Sequence, residues 1–181
     1  MIENGHLWHA GRGTYYDRNI NIISQSDSFH VYLGKYNSIG QDCTFFLHTD
    51  HRKDWVTTSP LLLDTITKEI KEALLEMGHP TSNGAIFIEN DVCIGPLSTI
   101  MSGVRIGNGS IVLPTSTIIE DTPPYSIVGG NPGNIVGYRF SEKQISSLLK
   151  IAWWDWPEDM IKDEYLLLWS NNIDEFIERH L

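Results

Sequence analysis

Large apolar residues recur at every sixth position in two blocks of this chain. Leu33, Ile39 and Phe45 make the first block; Ile88, Ile94, Ile100, Ile106, Val112 and Ile118 make the second. Glycine follows the anchor at Gly34, Gly40, Gly95 and Gly107. A turn-forming residue stands three after it at Asp42, Asp91, Gly103, Gly109 and Asp121. Short strands alternate inward and outward side chains. With a turn every sixth residue the chain winds into a coil, and stacked coils bury the anchors as a ladder while pairing neighbouring backbones. An antiparallel sandwich is the competing arrangement, but six anchors in unbroken phase from Ile88 to Ile118 favour the coil. The spacing predicts a parallel β-helix without fixing its hand, strand crossovers being right-handed as a rule.

The phase breaks between Phe45 and Ile88, which are 43 residues apart and so not a multiple of six. An excursion at about 50–85 therefore interrupts the coil. Within it, "TKEIKEALLEMG" sets Ile66, Ile70, Leu74 and Met77 at helical spacing, with Gly78 and Pro80 to end the helix. Before Leu33 the repeat is weak, and "NINIIS" reads as a strand of an opening coil. After Ile118, "EDTPPYSIVGGNPGNIVGYRF" is rich in Pro and Gly and reads as a loop leading off the coil. "SEKQISSLLKIAWW" then opens a helix, with Ser141 and Gln144 at capping-box spacing. Pro157 starts another and "DEFIERHL" a last short one. Trp153, Trp154 and Trp156 are expected to pack this tail onto the coil or onto a neighbouring subunit. The expected organisation is a repeat domain over 1–140 and a helical tail over 141–181.

Composition narrows the partners. The 181 residues are 41% hydrophobic and 20% charged, as in a soluble globular domain. A net charge of −10 without a Lys/Arg-rich run argues against nucleic acid. No apolar run nears the roughly 20 residues that span a bilayer. The opening "MIENGHLWHAGRG" lacks the charged-then-apolar order of a signal peptide. Cys43 and Cys93 make neither a disulfide framework nor a metal set. A reducing cytoplasm is the expected setting.

The excursion opens with the most polar and chemically varied stretch, "FFLHTDHRKDWVTTSPLLL" from Phe45 to Leu63. It holds two histidines three apart, two aspartates and a tryptophan. It reads either as a solvated loop or as the seat of chemistry.

The hexads, "TDHRKDW", "GNPGN" and "WWDWP" together resemble the xenobiotic acetyltransferase group of hexapeptide-repeat acyltransferases, which includes similar sugar O-acetyltransferases. The resemblance runs from "TYYD" at 14–17 to the C-terminal helices. It implies a left-handed parallel β-helix, a homotrimer, and acetyl-CoA bound in a groove between subunits, with no metal. Acetyl transfer to a hydroxyl or amine requires removal of the acceptor's proton, which suits a histidine and contributes roughly 10²–10⁴-fold. Of the histidines His6, His9, His30, His48, His51, His79 and His180, the "DHR" motif of the family puts this base at His51. His48 falls at a hexad corner and reads as structural or beside the acceptor. Asp50 and Asp54 would orient His51 or contact an acceptor hydroxyl, unless they are loop carboxylates. Trp55 would wall the acceptor pocket or serve packing. Tyr15 and Tyr16 match a family segment that reaches the acceptor, with strand packing as the alternative. Arg52 would brace the loop through an ion pair. Cofactor contacts carried over by position fall near Cys93, Pro96, Ser102, Gly103, Pro114, Thr115, Ile119, Asn131 and Asn134, and Arg139 would meet a CoA phosphate or solvent.

Two residues depart from the family pattern. Cys93 stands where a tryptophan usually precedes "IG", which reshapes the acceptor end and weakens any antibiotic acceptor borrowed from the resemblance. Glu120 stands where lysine is common, and a carboxylate near a polyphosphate is unfavourable. Three readings result. The first is a direct, acetyl-CoA-dependent O-acetyltransferase acting on a sugar in surface-polysaccharide or related glycan synthesis, with N-acetylation or an antibiotic acceptor as variants. The second is a zinc hydro-lyase, for which three histidines must converge on one metal; His48 and His51 are three apart and His79 lies in the excursion, a poor fit. The third is a non-catalytic coil.

Overall fold

The computed structural model describes residues 2–3, 6–17, 19–24, 30–59, 67–79 and 81–181. A short strand β1 (Ile2–Glu3) pairs antiparallel with β2 (His6–Ala10), which opens the first coil with β3 (Tyr15–Tyr16) and β4 (Asn21–Ser24). The second coil is β5 (Val31–Leu33), β6 (Ser38–Ile39) and β7 (Thr44–Leu47). After the excursion come β8 (Ile86–Ile88), β9 (Cys93–Ile94) and β10 (Thr99–Ile100), then β11 (Arg105–Ile106), β12 (Ile111–Val112) and β13 (Thr117–Ile118). Strands of successive coils pair in parallel to give three faces: β2-β5-β8-β11, β3-β6-β9-β12, and β4-β7-β10-β13. The chain is a left-handed parallel β-helix with helices at its C-terminal end.

The hexad anchors are the ladders of this stack. Leu33, Ile88 and Ile106 stand in register on the first face. Ile39, Ile94 and Val112 do so on the second, and Phe45, Ile100 and Ile118 on the third. All nine are buried, each contributing about 1.5–3 kcal/mol of apolar burial. Three residues after the anchor the backbone turns the corner in the left-handed region at Tyr36, Asp42, His48, Asp91, Leu97, Gly103, Gly109 and Thr115. Asp121 instead accepts the Arg105 backbone N–H on its carboxylate at 2.7 Å. The residue after the anchor abuts the next coil: a Cβ on Gly95 would lie 2.5 Å from the Pro114 nitrogen.

A second inner column stands two residues before the anchors. It comprises Val31, Asn37, Cys43, Ile86, Val92, Ser98, Val104, Ser110 and Ser116, all buried. Its polar members are tied to backbone: Ser98 Oγ donates to the Leu113 carbonyl at 3.1 Å, and Ser110 Oγ to that of Pro123 at 2.9 Å.

The excursion leaves after Leu47 and returns at Ile86, yet coils two and three stay in register through Val31↔Ile86, Ser38↔Cys93 and Thr44↔Thr99. Its root is closed by an antiparallel bridge between Asp50 and Thr81. The expected helix is α1 (Lys68–Glu76), and it buries none of its residues. Ile66 and Pro80 lie outside the described residues.

The stretch after Ile118 corrects one expectation. It is not a loop: β14 (Ser126–Gly130) continues the second face, and β15 (Gly133–Tyr138) folds back on it antiparallel. The prolines and glycines mark the corner at Pro123–Pro124 and the tight turn at Asn131–Pro132, and the residues between them pair as strands. The tail follows as α2 (Glu142–Ile151), a 3₁₀ turn (Trp153–Asp155), α3 (Glu158–Asp163), α4 (Tyr165–Leu168) and α5 (Ile173–His180). Ser141 and Gln144 form a reciprocal capping box on α2. The tail packs on its own coil at the corner between the first and second faces. Trp154 is buried there with Tyr125, Leu148, Ile151 and Phe176. Trp153 meets Tyr36 at 4.9 Å, and Lys35 pairs with Asp155 at 2.8 Å. Among the described residues no helix is long and apolar enough to cross a membrane.

Candidate active site

The excursion springs from the corner between the third and first faces, and its first turns carry most of the candidate chemistry. His48 is the corner residue itself, at φ 47°. Asp50 follows, its backbone N–H and carbonyl both engaged by Thr81. His51 is then exposed, but its ring is oriented: Nδ1 lies 2.6 Å from the Thr58 carbonyl. A carbonyl only accepts, so the proton sits on Nδ1 and Nε2 is left as an acceptor. The orienting group is thus a backbone carbonyl of the same loop rather than Asp50 or Asp54.

Asp54 is taken up elsewhere. It makes a two-pronged ion pair with Arg52, one contact running from Nε to Oδ1 at 2.7 Å. The guanidinium beside it holds its carboxyl at about 2, below the usual carboxylate range. Arg52 also donates to the Met77 carbonyl at 3.0 Å and lies over Trp55. Trp55 stacks on His79 with centroids 5.3 Å apart, and His79 stands edge-on to His51 at 5.1 Å. The structure therefore gathers His51, Trp55 and His79. Nothing in the sequence marks Thr58, and His79 enters there only as a third histidine for the metal reading, directly after a helix-ending glycine. Among the described residues no group of three or more His, Cys, Asp or Glu side chains is placed to hold a metal ion.

The other candidates lie across the coil. Tyr15 and Cys93 point outward on the second face in one column, joined through Ser38. Tyr15 is exposed and Tyr16 packs against the core. Burial among these strands pushes the Cys93 thiol up from its ordinary range, the charge of Arg139 acting in the opposite sense. A thiol whose pKa is raised in this way is a poor nucleophile. Pro96, Pro114 and Thr115 form a column at the corner between the second and third faces, where the Thr115 N–H donates to the Pro96 carbonyl at 3.0 Å. Ile119 is exposed at the end of the third face, and Asn131 and Asn134 are exposed at the turn of the β14–β15 hairpin. Ser102 and Gly103 sit under the returning end of the excursion: Asn83 donates its N–H to Ser102 Oγ at 3.1 Å. Arg139 is at the remaining corner, bonded to Asp91 at 3.2 Å and to the Gly109 carbonyl at 2.7 Å, over the rings of Tyr125 and Phe140. It borders a cavity of about 440 Å³ between coil and tail. None of His51, Trp55, Tyr15 or Cys93 lines that cavity.

The second face and the corner that bears His51 are on opposite sides of a three-faced coil. Tyr15 and Cys93 thus look away from the His51 corner of their own chain, whereas the face of one coil and the corner of another can meet.

Comparison with known proteins bears on what this arrangement does. Residues 85–120 match the family model of the bacterial transferase hexapeptide repeat (six repeats). A chloramphenicol acetyltransferase of Escherichia coli is 34% identical over 160 residues, covering 87% of this chain and 75% of that protein. A probable macrolide acetyltransferase of Lysinibacillus sphaericus is 34% identical over 155 residues, covering 82% of each. A hexapeptide-repeat acetyltransferase of Vibrio cholerae shares the fold, at 22% identity and a TM-score of 0.55 over 77% of this chain and 70% of that one. With most of the chain matched at 34% identity, the chain belongs to the hexapeptide-repeat acetyltransferases, the family of the chloramphenicol acetyltransferases.

Proposed function

We propose that this protein transfers an acetyl group from acetyl-CoA directly to a hydroxyl of a small acceptor, with His51 as general base and a sugar as the acceptor class. The observation that carries this reading is the Nδ1 contact of His51 with the Thr58 carbonyl, which leaves Nε2 as the proton acceptor. Nε2 takes the hydroxyl proton as the acceptor oxygen forms its bond to the thioester carbon. Backbone N–H groups of the coil stabilise the oxyanion. The carbon–sulfur bond then breaks, the thiolate leaves, and the imidazolium returns the proton. No acyl-enzyme is required. Pro96, Pro114, Thr115 and the Asn131–Asn134 turn, with Ile119 across the third face, would hold the donor largely through backbone groups. The test is mass spectrometry of products from acetyl-CoA with a panel of sugars and amines. Release of CoA with no acetylated product from any hydroxyl would overturn it. The names of the relatives favour a second reading, an antibiotic hydroxyl as acceptor, so chloramphenicol, a streptogramin and a macrolide belong in the same panel.

The site needs more than one chain. Because the acceptor-side candidates and the base lie on opposite sides of a three-faced coil, the face of one subunit must meet the corner of the next. Such head-to-tail contact gives a ring when its rotation closes, and the family resemblance makes that ring a C3 trimer with three shared sites. Light scattering is expected to give the mass of three chains. A stable monomer at micromolar concentration would remove both trimer and shared site.

Cys93 provides a direct check on the acceptor wall. Its side chain points outward, so Cys93→Trp leaves the core untouched. The expected result is an altered acceptor profile across the panel with an unchanged melting temperature. An unchanged profile would take Cys93 out of the site.

A further inference from the structure

α1 buries no residue, yet its C-terminal end is firmly held. Gly78, at φ 77°, takes the left-handed conformation that ends the helix. Its N–H donates to the Leu75 carbonyl and that of His79 to the Leu74 carbonyl, both at 2.9 Å. This is the two-bond Schellman cap. The carbonyl of Met77 in the same cap accepts Arg52, tying the far end of the excursion to its root. The cap thereby delivers His79 to His51 and Trp55, one ring edge-on at 5.1 Å and the other stacked at 5.3 Å. Nδ1 of His79 is buried without a hydrogen-bond partner among the described residues.

We infer that His79 is a positioning residue for His51: the cap of α1 sets its imidazole against the base, fixing the ring plane in which Nδ1 meets the Thr58 carbonyl and Nε2 is left to accept a proton, and it adds no second positive charge when His51 takes its proton. The inference rests on His51 being the base. Two features support the neutral state. Burial lowers the basicity of His79, and the neighbouring His51 and Arg52 lower it further. A helix without a buried face is then explained by what its cap presents.

Three substitutions separate positioning from bulk structure. His79→Ala removes the buttress and is expected to lower kcat about tenfold with the KM for acetyl-CoA unchanged, the loss typical of a loosened reactive group. His79→Phe restores a neutral ring and should recover most of that loss. His79→Lys installs a permanent cation beside His51, so the ascending limb of the kcat/KM profile should move to lower pH, since a nearby positive charge disfavours the imidazolium. Imidazole ¹⁵N spectra of the trimer provide a readout independent of turnover: His51 is expected as one Nδ1–H tautomer in the native protein and as a mixture in His79→Ala. A single unchanged tautomer with kcat within twofold of native would overturn the proposal. So would a His79→Phe variant as slow as His79→Ala, which would make a nitrogen of His79 the essential group. Full activity in His51→Ala would defeat the base assignment alone, because the tautomer measurement would still report on the contact.

Discussion

Replacing His51 by alanine is expected to lower acetyl transfer by roughly 10²–10⁴, about 2.7–5.5 kcal/mol of transition-state stabilisation at 1.36 kcal/mol per decade. Assembly and acetyl-CoA affinity should hardly change, because His51 is exposed and every ladder anchor is left intact. The native pH profile should carry an ascending limb that the variant lacks. The control is His48, three residues earlier. It occupies a corner at φ 47°, where alanine would be strained and asparagine is tolerated, so His48→Asn is the cleaner substitution. It should cost far less turnover than His51→Ala. Turnover at saturating acetyl-CoA decides between them: a dead His48→Asn beside an active His51→Ala would reverse the assignment.

The sequence carried much of the coil and rather less of the site. Nine anchors at a period of six are visible because Leu, Ile, Val and Phe fill them all. The corner residues Asp42, Asp91, Gly103 and Gly109 are visible because aspartate and glycine enter the left-handed region at low cost. Tyr36, Leu97 and Thr115 turn the same corners and carry no such mark; there the ladder on either side dictates the backbone. The inner column two residues before the anchors was hidden by its mixed polarity. Asn37, Ser98, Ser110 and Ser116 read as surface residues, yet neighbouring backbone groups satisfy them inside. Hydropathy records transfer to an apolar medium and cannot register a buried hydroxyl that finds a carbonyl. The hairpin of β14 and β15 was masked in the same way, its turn residues outweighing the strand residues between them.

His51 was legible as a candidate because a motif surrounds it. Its partners were not. The Thr58 carbonyl is a backbone atom, and any residue type supplies one. His79 is brought near by a cap at the far end of an excursion, a closure that no local spacing encodes. Asp54 shows the converse: a carboxylate three residues from the histidine pairs instead with Arg52, the arginine expected to brace the loop. The roles offered by nearness along the chain were therefore reassigned by which groups the fold left unpaired.

Asn37→Ala is expected to destabilise the coil by about 2–6 kcal/mol. The side chain is fully buried and stitches coil two to coil three, where the chain departs on its excursion and no tight corner links the two. Its Oδ1 accepts the Val92 N–H at 2.7 Å, and its Nδ2 donates to the Glu89 carbonyl at 2.8 Å. Its own N–H donates to Thr14 Oγ1 at 3.0 Å, continuing the stitch to coil one. Truncation leaves one backbone donor and one acceptor of coil three without their partner, at about 1–3 kcal/mol each. Asn37→Leu should be no milder, since it fills the volume but bonds neither group. For a chain of this length 1 kcal/mol moves Tm by about 2–4 °C, so a fall on the order of 10 °C is expected. Melting must be compared at one protomer concentration, because assembly stabilises the folded chain. Asn171→Ala, at an exposed asparagine of the tail, should move Tm by about 1 °C or less. Well below the transition the folded Asn37→Ala protein should keep its turnover, because His51, Thr58 and His79 are held by the excursion's own contacts. A fall in Tm no larger than that of Asn171→Ala would mean that the buried amide contributes nothing to the stack.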